Sequence, residues 1–352
     1  MRHTPPKSKI RAPTIKDVAA KAGVSTATVS HVLNDKGRAG AKTRDKVMAA
    51  VRALNFRPNG NAAALRNRKS KLVGLVVPSL SNAFFARMAS EFEQLAFAHG
   101  YDIAVIISDE DSAIERGRIL TLLSRQLEGL IVYPASDDGI GGGLDPHVLP
   151  PTVVMDRGLQ IKGVDSVGLK NEEAGQMVAR ELLALGHRRI GVLLPNVDVA
   201  ASRDRVAGIE RAIAETDPSV ECRVVLGGHT IDGARSAIEQ ELRRQNRITA
   251  LVAATNVTTL GAIKAIQGLQ LRMPEDVSLI GFDDFEWMTA LRPYVSAVAQ
   301  PFEHFASKGW ALLMARMAGG GDTLPFQRVL LPGELRLRES SGRAPVQTPA
   351  AA

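Results

Sequence analysis

The sequence predicts a small all-α domain followed by a larger α/β domain whose parallel sheets form two lobes. Three observations lead to this fold class. The first part of the chain has apolar residues at helical spacing, whereas from Leu72 onward short apolar runs alternate with amphipathic stretches. The balance of charge changes at the same place. Residues 1–70 contain 16 Lys and Arg against 3 Asp and Glu, whereas the remaining residues contain 28 Lys and Arg against 34 Asp and Glu. The length of 352 residues allows two or three folded units.

The composition excludes several protein classes. With 45% hydrophobic and 23% charged residues, and no apolar run near the roughly 18–20 residues that cross a bilayer, the chain has the composition of a globular protein. The single cysteine, Cys222, excludes a disulfide framework and a Cys-based zinc finger. The N-terminus lacks the apolar segment of a signal peptide, so we expect a cytoplasmic protein. We also expect neither a metal ion nor a cofactor.

The uneven charge indicates a partner for the first part of the chain. The formal net charge of +7 consists of +13 on residues 1–70 and −6 on the remainder. A cationic segment on a mildly acidic body is typical of a polyanion-binding domain attached to a domain with another task. A disordered basic tail would give the same charge, and the helical pattern has to distinguish the two. Only residues 1–13 are predicted to be such a tail.

Two short helices are predicted after this tail. Thr14 and Asp17 approach a capping box at the start of the first helix. Ala19 is a small residue where two helices would cross, Gly23 permits a left-handed turn, and Ser25 can cap the second helix. This spacing is that of a helix-turn-helix, and an ordinary helical hairpin with a polar face is the alternative.

The second helix is the predicted recognition helix. Val29, Val32 and Leu33 occupy its buried side, which leaves a polar face of short side chains for the major groove. Hydroxyl, amide and imidazole groups can bond base edges or phosphate oxygens. We predict base contacts from Thr26, Ala27 and His31, and phosphate contacts from Ser25, Thr28, Ser30 and Asn34.

A third helix, from about Ala41 to Leu54, would complete a small core and end the domain at residue 58. The Ala-rich and basic residues 59–71 that follow are too few for a stable isolated helix. Such a segment can fold when it is held against DNA, which makes it a candidate coupling element.

Repeated alternation of strands and helices is predicted from Leu72 onward. Fully apolar strands separated by amphipathic helices favour parallel sheets that are covered on both faces. The predicted strands are Leu72 to Val77, Ile103 to Ile107, Gly129 to Tyr133, Thr152 to Met155, Ile190 to Leu194, Ala250 to Ala253 and Val277 to Phe282. The predicted helices are Phe84 to His99, Ala113 to Arg125, Asn171 to Leu185, Asp204 to Glu215, Asp232 to Arg244 and Thr258 to Leu269. Ligands of such sheets bind at the carboxyl ends of the strands.

Motifs of common enzymes do not appear in the sequence. The glycines from Gly139 to Gly143 run into Leu144-Asp145-Pro146 with no helix opening on them, which predicts a loop and not a dinucleotide fingerprint. The chain also lacks a phosphate-binding lysine motif and a Gly-x-Ser-x-Gly elbow. We therefore expect no enzyme.

Several motifs resemble those of the LacI/GalR family of bacterial transcription repressors. They are Thr14-Ile15-Lys16-Asp17-Val18-Ala19, Ala22-Gly23-Val24-Ser25, Phe56-Arg57-Pro58-Asn59, Gly186-His187-Arg188-Arg189-Ile190-Gly191 and Gly281-Phe282-Asp283-Asp284. The resemblance covers about residues 14–340. It implies a helix-turn-helix DNA-binding domain joined by a hinge helix to a two-lobed, periplasmic-binding-protein-like domain.

For DNA binding, the resemblance implies a homodimer on a near-palindromic operator. Leu65 stands where family members insert a leucine into a central base step of the minor groove, and packing against the partner hinge helix is its alternative role. The sequence departs from the family pattern at Ala63, where many members have a polar or basic residue, and at Gly40, where a capping Ser is usual.

For the large domain, residues 72–340, the resemblance implies a cleft for a sugar-like effector. Lobe 1 is expected at about 72–169 and 300–327, lobe 2 at about 170–299 and 328–340, and a disordered tail at 341–352. The matching effector-binding positions are Asn82, Phe84, Phe85, Asp156, Arg157, Arg203, Asn256, Phe282, Asp283 and Gln300. Carboxylates, amides, guanidiniums and aromatic rings suit the hydroxyls and apolar face of a sugar or polyol.

Alternatives remain at several of these positions. Phe84 and Phe85 would also suit a purely structural core, and Asp156 could form a local ion pair with Arg157. Arg203 is preferred over Arg205 by alignment only. A transport component with the same large domain is the rival function, which the helix-turn-helix and the absent signal peptide disfavour.

Overall fold

The computed structural model describes residues 13–33, 39–56, 70–290, 292–320 and 324–345. Contacts divide the chain into two compact units, Met1–Ser70 and Lys71–Ala352. We describe them separately as the N-terminal and C-terminal domains. The predicted hinge, including Ala63 and Leu65, lies almost entirely outside the described residues, as does Asn34.

In its described part, the N-terminal domain consists of three helices, α1 (Ile15–Ala22), α2 (Thr26–Leu33) and α3 (Ala41–Ala53). The carboxylate of Asp17 accepts hydrogen bonds from the backbone N–H and hydroxyl of Thr14, each at 2.7 Å, which fixes the start of α1. Gly23 ends α1 with φ of 67°, and the Ser25 hydroxyl accepts the backbone N–H of Thr28 at the start of α2. These caps confirm the predicted helix-turn-helix.

A small apolar core joins the three helices. Val18 from α1, Val29 from α2 and Val47 from α3 are each 0% exposed. Burying one such side chain contributes roughly 1.5–3 kcal/mol. Gly40 precedes α3 and gives it no side-chain cap, as its sequence position suggested.

The C-terminal domain contains two parallel sheets of six strands each among its described residues. Lobe 1 has the strand order β11-β5-β4-β3-β1-β2, and lobe 2 has the order β12-β10-β9-β8-β6-β7. All pairs are parallel except β10 with β12. Lobe 1 contains β1 (Leu72–Val77), β2 (Asp102–Ile107), β3 (Gly129–Val132), β4 (Thr152–Met155), β5 (Asp165–Leu169) and β11 (Arg328–Leu331). Lobe 2 contains β6 (Arg189–Leu194), β7 (Glu221–Leu226), β8 (Ala250–Ala253), β9 (Ser278–Phe282), β10 (Ser296–Ala299) and β12 (Glu334–Arg336).

Helices connect these strands and cover the sheets. They are α4 (Ala83–Ala98), α5 (Ser112–Leu123), α6 (Asn171–Ala184), α7 (Ala200–Thr216), α8 (Ile231–Leu242), α9 (Asn256–Gly268) and α10 (Phe302–Ala315). Central strands such as β3 and β8 are fully buried, as their apolar sequences predicted, whereas every residue of the edge strand β7 is exposed or partly exposed.

Helices α6 and α7 cross at unusually short distance because each has a glycine at the crossing. A Cβ on Gly175 would lie 2.2 Å from the carbonyl oxygen of Arg205, and one on Gly208 would lie 2.1 Å from that of Glu172. This close packing fixes the position of the N-terminal part of α7, which carries Arg203 and Arg205.

The boundary of the lobes differs from the prediction at one point. The sequence placed residues 328–340 in lobe 2, but β11 pairs with β5 in the sheet of lobe 1. Only β12, which follows Gly333, joins lobe 2. The chain thus crosses between the lobes after Leu331. In the described part of the chain, no helix is both long and apolar enough to span a membrane.

Candidate functional site

The exposed face of α2 has the composition of a recognition surface. Thr26, Ala27 and His31 are exposed, and Thr28 and Ser30 are partly exposed. At about 100° per residue, Thr26, Ala27, Ser30 and His31 lie within one arc of about 140°, opposite buried Val29 and Val32. Ser25 and Thr28 share a hydrogen bond between their hydroxyls at 2.9 Å. These two hydroxyls therefore already hold the start of the helix.

Positive charge surrounds this helix. The described part of the N-terminal domain has six basic residues, all exposed, and two acidic ones, Asp17 and Asp45. The basic residues are Lys16, Lys21, Lys42, Arg44, Lys46 and Arg52. A surface of this kind is attracted to phosphate backbones.

In the C-terminal domain, a polar network occupies the cleft between the lobes. Asn256 begins α9 in lobe 2 and donates through Nδ2 to Oδ1 of Asn82 in lobe 1 at 2.7 Å. Its backbone N–H donates to Oδ2 of Asp283 at 3.1 Å. Asp283 follows β9, and its Oδ1 accepts from Nε2 of Gln300 at 2.5 Å. The structure thus brings together four residues that are distant in sequence.

Arg205, and not Arg203, lies inside the cleft. Its Nε donates to Oδ1 of Asn171 at 2.8 Å, its Nη1 donates to the carbonyl of Ala254, and its guanidinium lies 4.3 Å from the ring centroid of Phe282. Arg205 is 6% exposed. Burial lowers its pKa, and the nearby charges of Asp156 and Asp283 oppose that effect.

Arg203 lies at the rim of the cleft. Its Nη2 donates to Oδ2 of Asp137 in lobe 1 at 2.7 Å, and its Nη1 donates to the carbonyl of Val197 at 2.9 Å. Arg203, which the sequence prediction preferred as an effector-binding residue, is therefore not the buried arginine of the cleft. Two residues apart on a helix, these side chains point about 200° apart.

Arg157 pairs with Glu110 and not with the adjacent Asp156. Nη2 of Arg157 donates to Oε1 of Glu110 at 3.1 Å, and Nη1 donates to Oε2. Nδ1 of His229 in lobe 2 lies 3.3 Å from Oε1 of Glu110. Burial opposes ionisation of Glu110, but its contacts with His229 and Arg157 lower its pKa to about 2.

An aromatic cluster closes one side of the cleft. Phe84 and Phe85 are 5% and 2% exposed, and their rings meet each other and Tyr133 edge-on at centroid distances of 5.2–6.0 Å. The guanidinium of Arg157 lies 5.4 Å from the ring centroid of Phe85. The Phe pair therefore belongs to the core and also faces a charged group of the cleft.

Three buried oxygen atoms in this region have no hydrogen-bond partner among the described residues. They are the Tyr133 hydroxyl, Oδ1 of Asp156 and Oε1 of Gln300. Asp156 and Asp283 both have a left-handed backbone, with φ of 62° and 65°. Burial raises the pKa of Asp156, against the charges of Arg205 and Arg157. Buried polar atoms without partners are rare in folded proteins, so these three need a water, an ion or a ligand as partner.

Near the mouth of the cleft, a cavity of about 250 Å³ includes Asn82, Glu110, Arg157 and His229 in its wall. The sequence prediction missed Glu110, Asp137 and His229, and it considered Arg205 only as the alternative to Arg203. A signal existed for Glu110, since it lies in the turn just after the strand β2. The structure gathers the other predicted residues at or near the cleft.

Family models match both domains. The model of the lacI family of bacterial regulatory proteins matches residues 14–59, and that of the periplasmic binding protein-like domain matches residues 179–341. The ribose operon repressor of Haemophilus influenzae is 29% identical over 328 residues, which are 93% of this chain and 98% of that protein.

Two further comparisons cover most of the chain. The HTH-type transcriptional repressor PurR of Vibrio vulnificus is 31% identical over 307 residues, which are 86% of this chain and 92% of that protein. A crystal structure of the lac repressor dimer bound to operator and the anti-inducer ONPF has a TM-score of 0.81 at 26% identity, covering 94% of this chain and 100% of that one.

The helix-turn-helix domain and the two-lobed domain together define a DNA-binding transcriptional regulator. The chain belongs to the LacI family of bacterial regulatory proteins.

Proposed function

We propose that this protein is a transcriptional repressor that binds a near-palindromic operator as a homodimer and is controlled by a small sugar-like effector in the interlobe cleft. The observation that carries the proposal is the cleft network, in which buried acceptor atoms of Asp156 and Gln300 have no hydrogen-bond partner among the described residues. The hydroxyls of a sugar or polyol would supply the donors that these atoms need.

For operator recognition, we propose base contacts from Thr26, Ala27 and His31. Their exposure on one face of α2, beside a basic surface, supports this assignment. Ser25, Thr28 and Ser30 are proposed to contact phosphates from the same helix, with the cap of α2 keeping Ser25 and Thr28 in place. The proposed phosphate contact of Asn34 rests on its short polar side chain directly after Leu33 in the sequence. The proposed role of Leu65 rests on the resemblance alone.

For the effector, we propose contacts from Asn82, Asp156, Arg157, Asn256, Asp283 and Gln300, with Arg205 in place of Arg203 as the inner arginine. Phe84, Phe85 and Phe282 would form apolar walls. Three contacts cross between the lobes, from Asn82 to Asn256, from Glu110 to His229 and from Asp137 to Arg203. A ligand that changes these contacts alters lobe closure, which couples the cleft to the rest of the chain.

We further propose that the cleft binds its ligand without converting it, in the cytoplasm where bacterial DNA lies. The relatives named above are repressors, which supports this function over a transport component.

A mobility-shift experiment on fragmented genomic DNA tests the proposal. The full-length protein is expected to slow the migration of only a few fragments, and these should share a two-fold symmetric sequence. His31→Ala is expected to lose this preference, while Met48→Ala, on exposed α3, serves as a control for substitution in the same domain. Retention of all fragments alike by the wild type would contradict sequence-specific binding.

A further inference from the structure

Every arginine found in the described cleft faces a carboxylate. Both terminal nitrogens of Arg157 bond the two oxygens of Glu110. Arg203 is paired with Asp137 at 2.7 Å, and Arg205 faces Asp156 and Asp283. A guanidinium that is already held by two hydrogen bonds to one carboxylate, as that of Arg157 is, offers few donors to a second anion.

The Arg157 pair is the one with direct access to the cavity. Both Arg157 and Glu110 contribute to its wall, and their side chains are 9% and 19% exposed. Arg157 would otherwise present a positive charge and a planar set of donors, the usual means of binding a phosphate or carboxylate. Glu110 cancels that charge.

We propose that Glu110 determines the chemical class of the effector: by occupying the guanidinium of Arg157, it restricts the cleft to uncharged polyols and excludes phosphorylated and acidic sugars. The inference rests on the proposed function, because it concerns the same cleft.

The remaining polar atoms favour the same class. Oδ1 of Asp156 and Oε1 of Gln300 are acceptors without partners among the described residues. A phosphate or carboxylate would bring further acceptors and negative charge to them, whereas a hydroxyl donates a hydrogen bond. Specificity of this kind depends on unfavourable contacts with the wrong ligand as much as on favourable contacts with the right one.

The neighbouring Asp109 provides a matched control for this proposal. Asp109 and Glu110 both have a left-handed backbone and both contribute to the cavity wall. The carboxylate of Asp109 lies 3.8 Å from Arg118, with 60% of its side chain exposed, and among the described residues it forms no ion pair with Arg157. Asp109→Asn and Glu110→Gln therefore remove the same charge from the same cavity, but only the second releases Arg157.

Isothermal titration of the full-length protein with D-ribose and with D-ribose 5-phosphate tests the proposal. Wild type is expected to bind D-ribose 5-phosphate more weakly than D-ribose. Glu110→Gln is expected to bind D-ribose 5-phosphate about tenfold or more tightly than wild type does, since a partly buried charge pair gains at least this much. Asp109→Asn is expected to change this affinity less than about threefold.

Two results would overturn the proposal. One is a wild-type protein that binds D-ribose 5-phosphate as tightly as D-ribose or more tightly, a result that needs no variant and so does not depend on how Glu110→Gln folds. The other is a folded Glu110→Gln variant, judged by circular dichroism, that gains no affinity for the phosphate ester or gains no more than Asp109→Asn. These titrations contain no DNA, so they test the class of effector independently of operator binding. A failure of operator binding would contradict the proposed function but would not change the result of the titrations.

Discussion

Replacing Arg205 and Arg203 by alanine gives a matched test of which arginine belongs to the interior of the cleft. Both substitutions remove one guanidinium from α7. Arg205→Ala leaves Asp156 and Asp283 without their buried counter-charge and removes the donors to Asn171 and Ala254. Breaking a buried charge pair by removing one partner costs about 3–5 kcal/mol.

Arg203→Ala removes an ion pair whose arginine side chain is 49% exposed. Solvent and salt screen such a pair, so its contribution is about 0–1 kcal/mol. At about 2–4 °C per kcal/mol for a domain of this size, Arg205→Ala should lower the unfolding temperature by about 6–20 °C, and Arg203→Ala by no more than about 4 °C.

Tryptophan fluorescence during heating is a suitable assay, because both tryptophans, Trp287 and Trp310, lie in the C-terminal domain. The signal therefore reports that domain and not the N-terminal one. Equal unfolding temperatures for the two variants, or a larger loss for Arg203→Ala, would refute the assignment of Arg205 to the interior.

Three further predictions follow from other parts of the molecule. Glu115 is fully buried and accepts hydrogen bonds from the backbone N–H groups of Ala135 and Gly141 at 2.7 and 2.5 Å. Glu115→Ala should therefore lower the free energy of unfolding in urea by about 2–5 kcal/mol, and a loss under about 1 kcal/mol would contradict this. The pKa of Glu110 is lowered from its ordinary value of 4.5 to about 2, so its ionised carboxylate stabilises the fold at pH values above about 4.5. This stabilisation is lost as the pH falls toward about 2. Unfolding midpoints of wild type and Glu110→Gln should therefore converge in acid, and a constant difference between pH 6 and 3 would argue against the pair. Thr26→Ala should weaken binding to the preferred DNA site by about 1–3 kcal/mol and relax selectivity at one base pair, measured by competition with single-base variants; an equal loss on all sequences would indicate a phosphate contact.

Local signals in the sequence were sufficient to predict the N-terminal domain. Thr14 with Asp17, Gly23 and Ser25 each act within a few residues, and the structure contains the corresponding caps and turn. Buried strands such as β1 and β8 were equally predictable, because continuous apolar runs of this length are typical of parallel sheets.

The edge strand β7 and the crossing between the lobes were not predictable in this way. The edge strand β7 carries Glu221 and Arg223 on its partly exposed surface and so lacks an apolar run. The separation of β11 from β12 depends on which sheet each strand joins, a long-range pairing that no local pattern encodes.

The cleft was predictable in outline only. Asp283 was identified by the resemblance, and its carboxylate accepts three hydrogen bonds, from Asn256 and Gln300. The choice between Arg203 and Arg205 depended on where α7 begins. The sequence suggested Asp204, whereas the helix begins at Ala200, so both arginines lie within it and point in different directions.

Reciprocal linkage between the cleft and the operator is the most direct test of the account. The affinity of the full-length protein for its selected operator would be measured by fluorescence anisotropy across a titration of the sugar chosen by thermal-shift screening. The affinity for that sugar would then be measured with and without operator. The account predicts that each ligand changes the affinity for the other by the same factor. A sugar that binds the cleft and leaves operator affinity unchanged would contradict it.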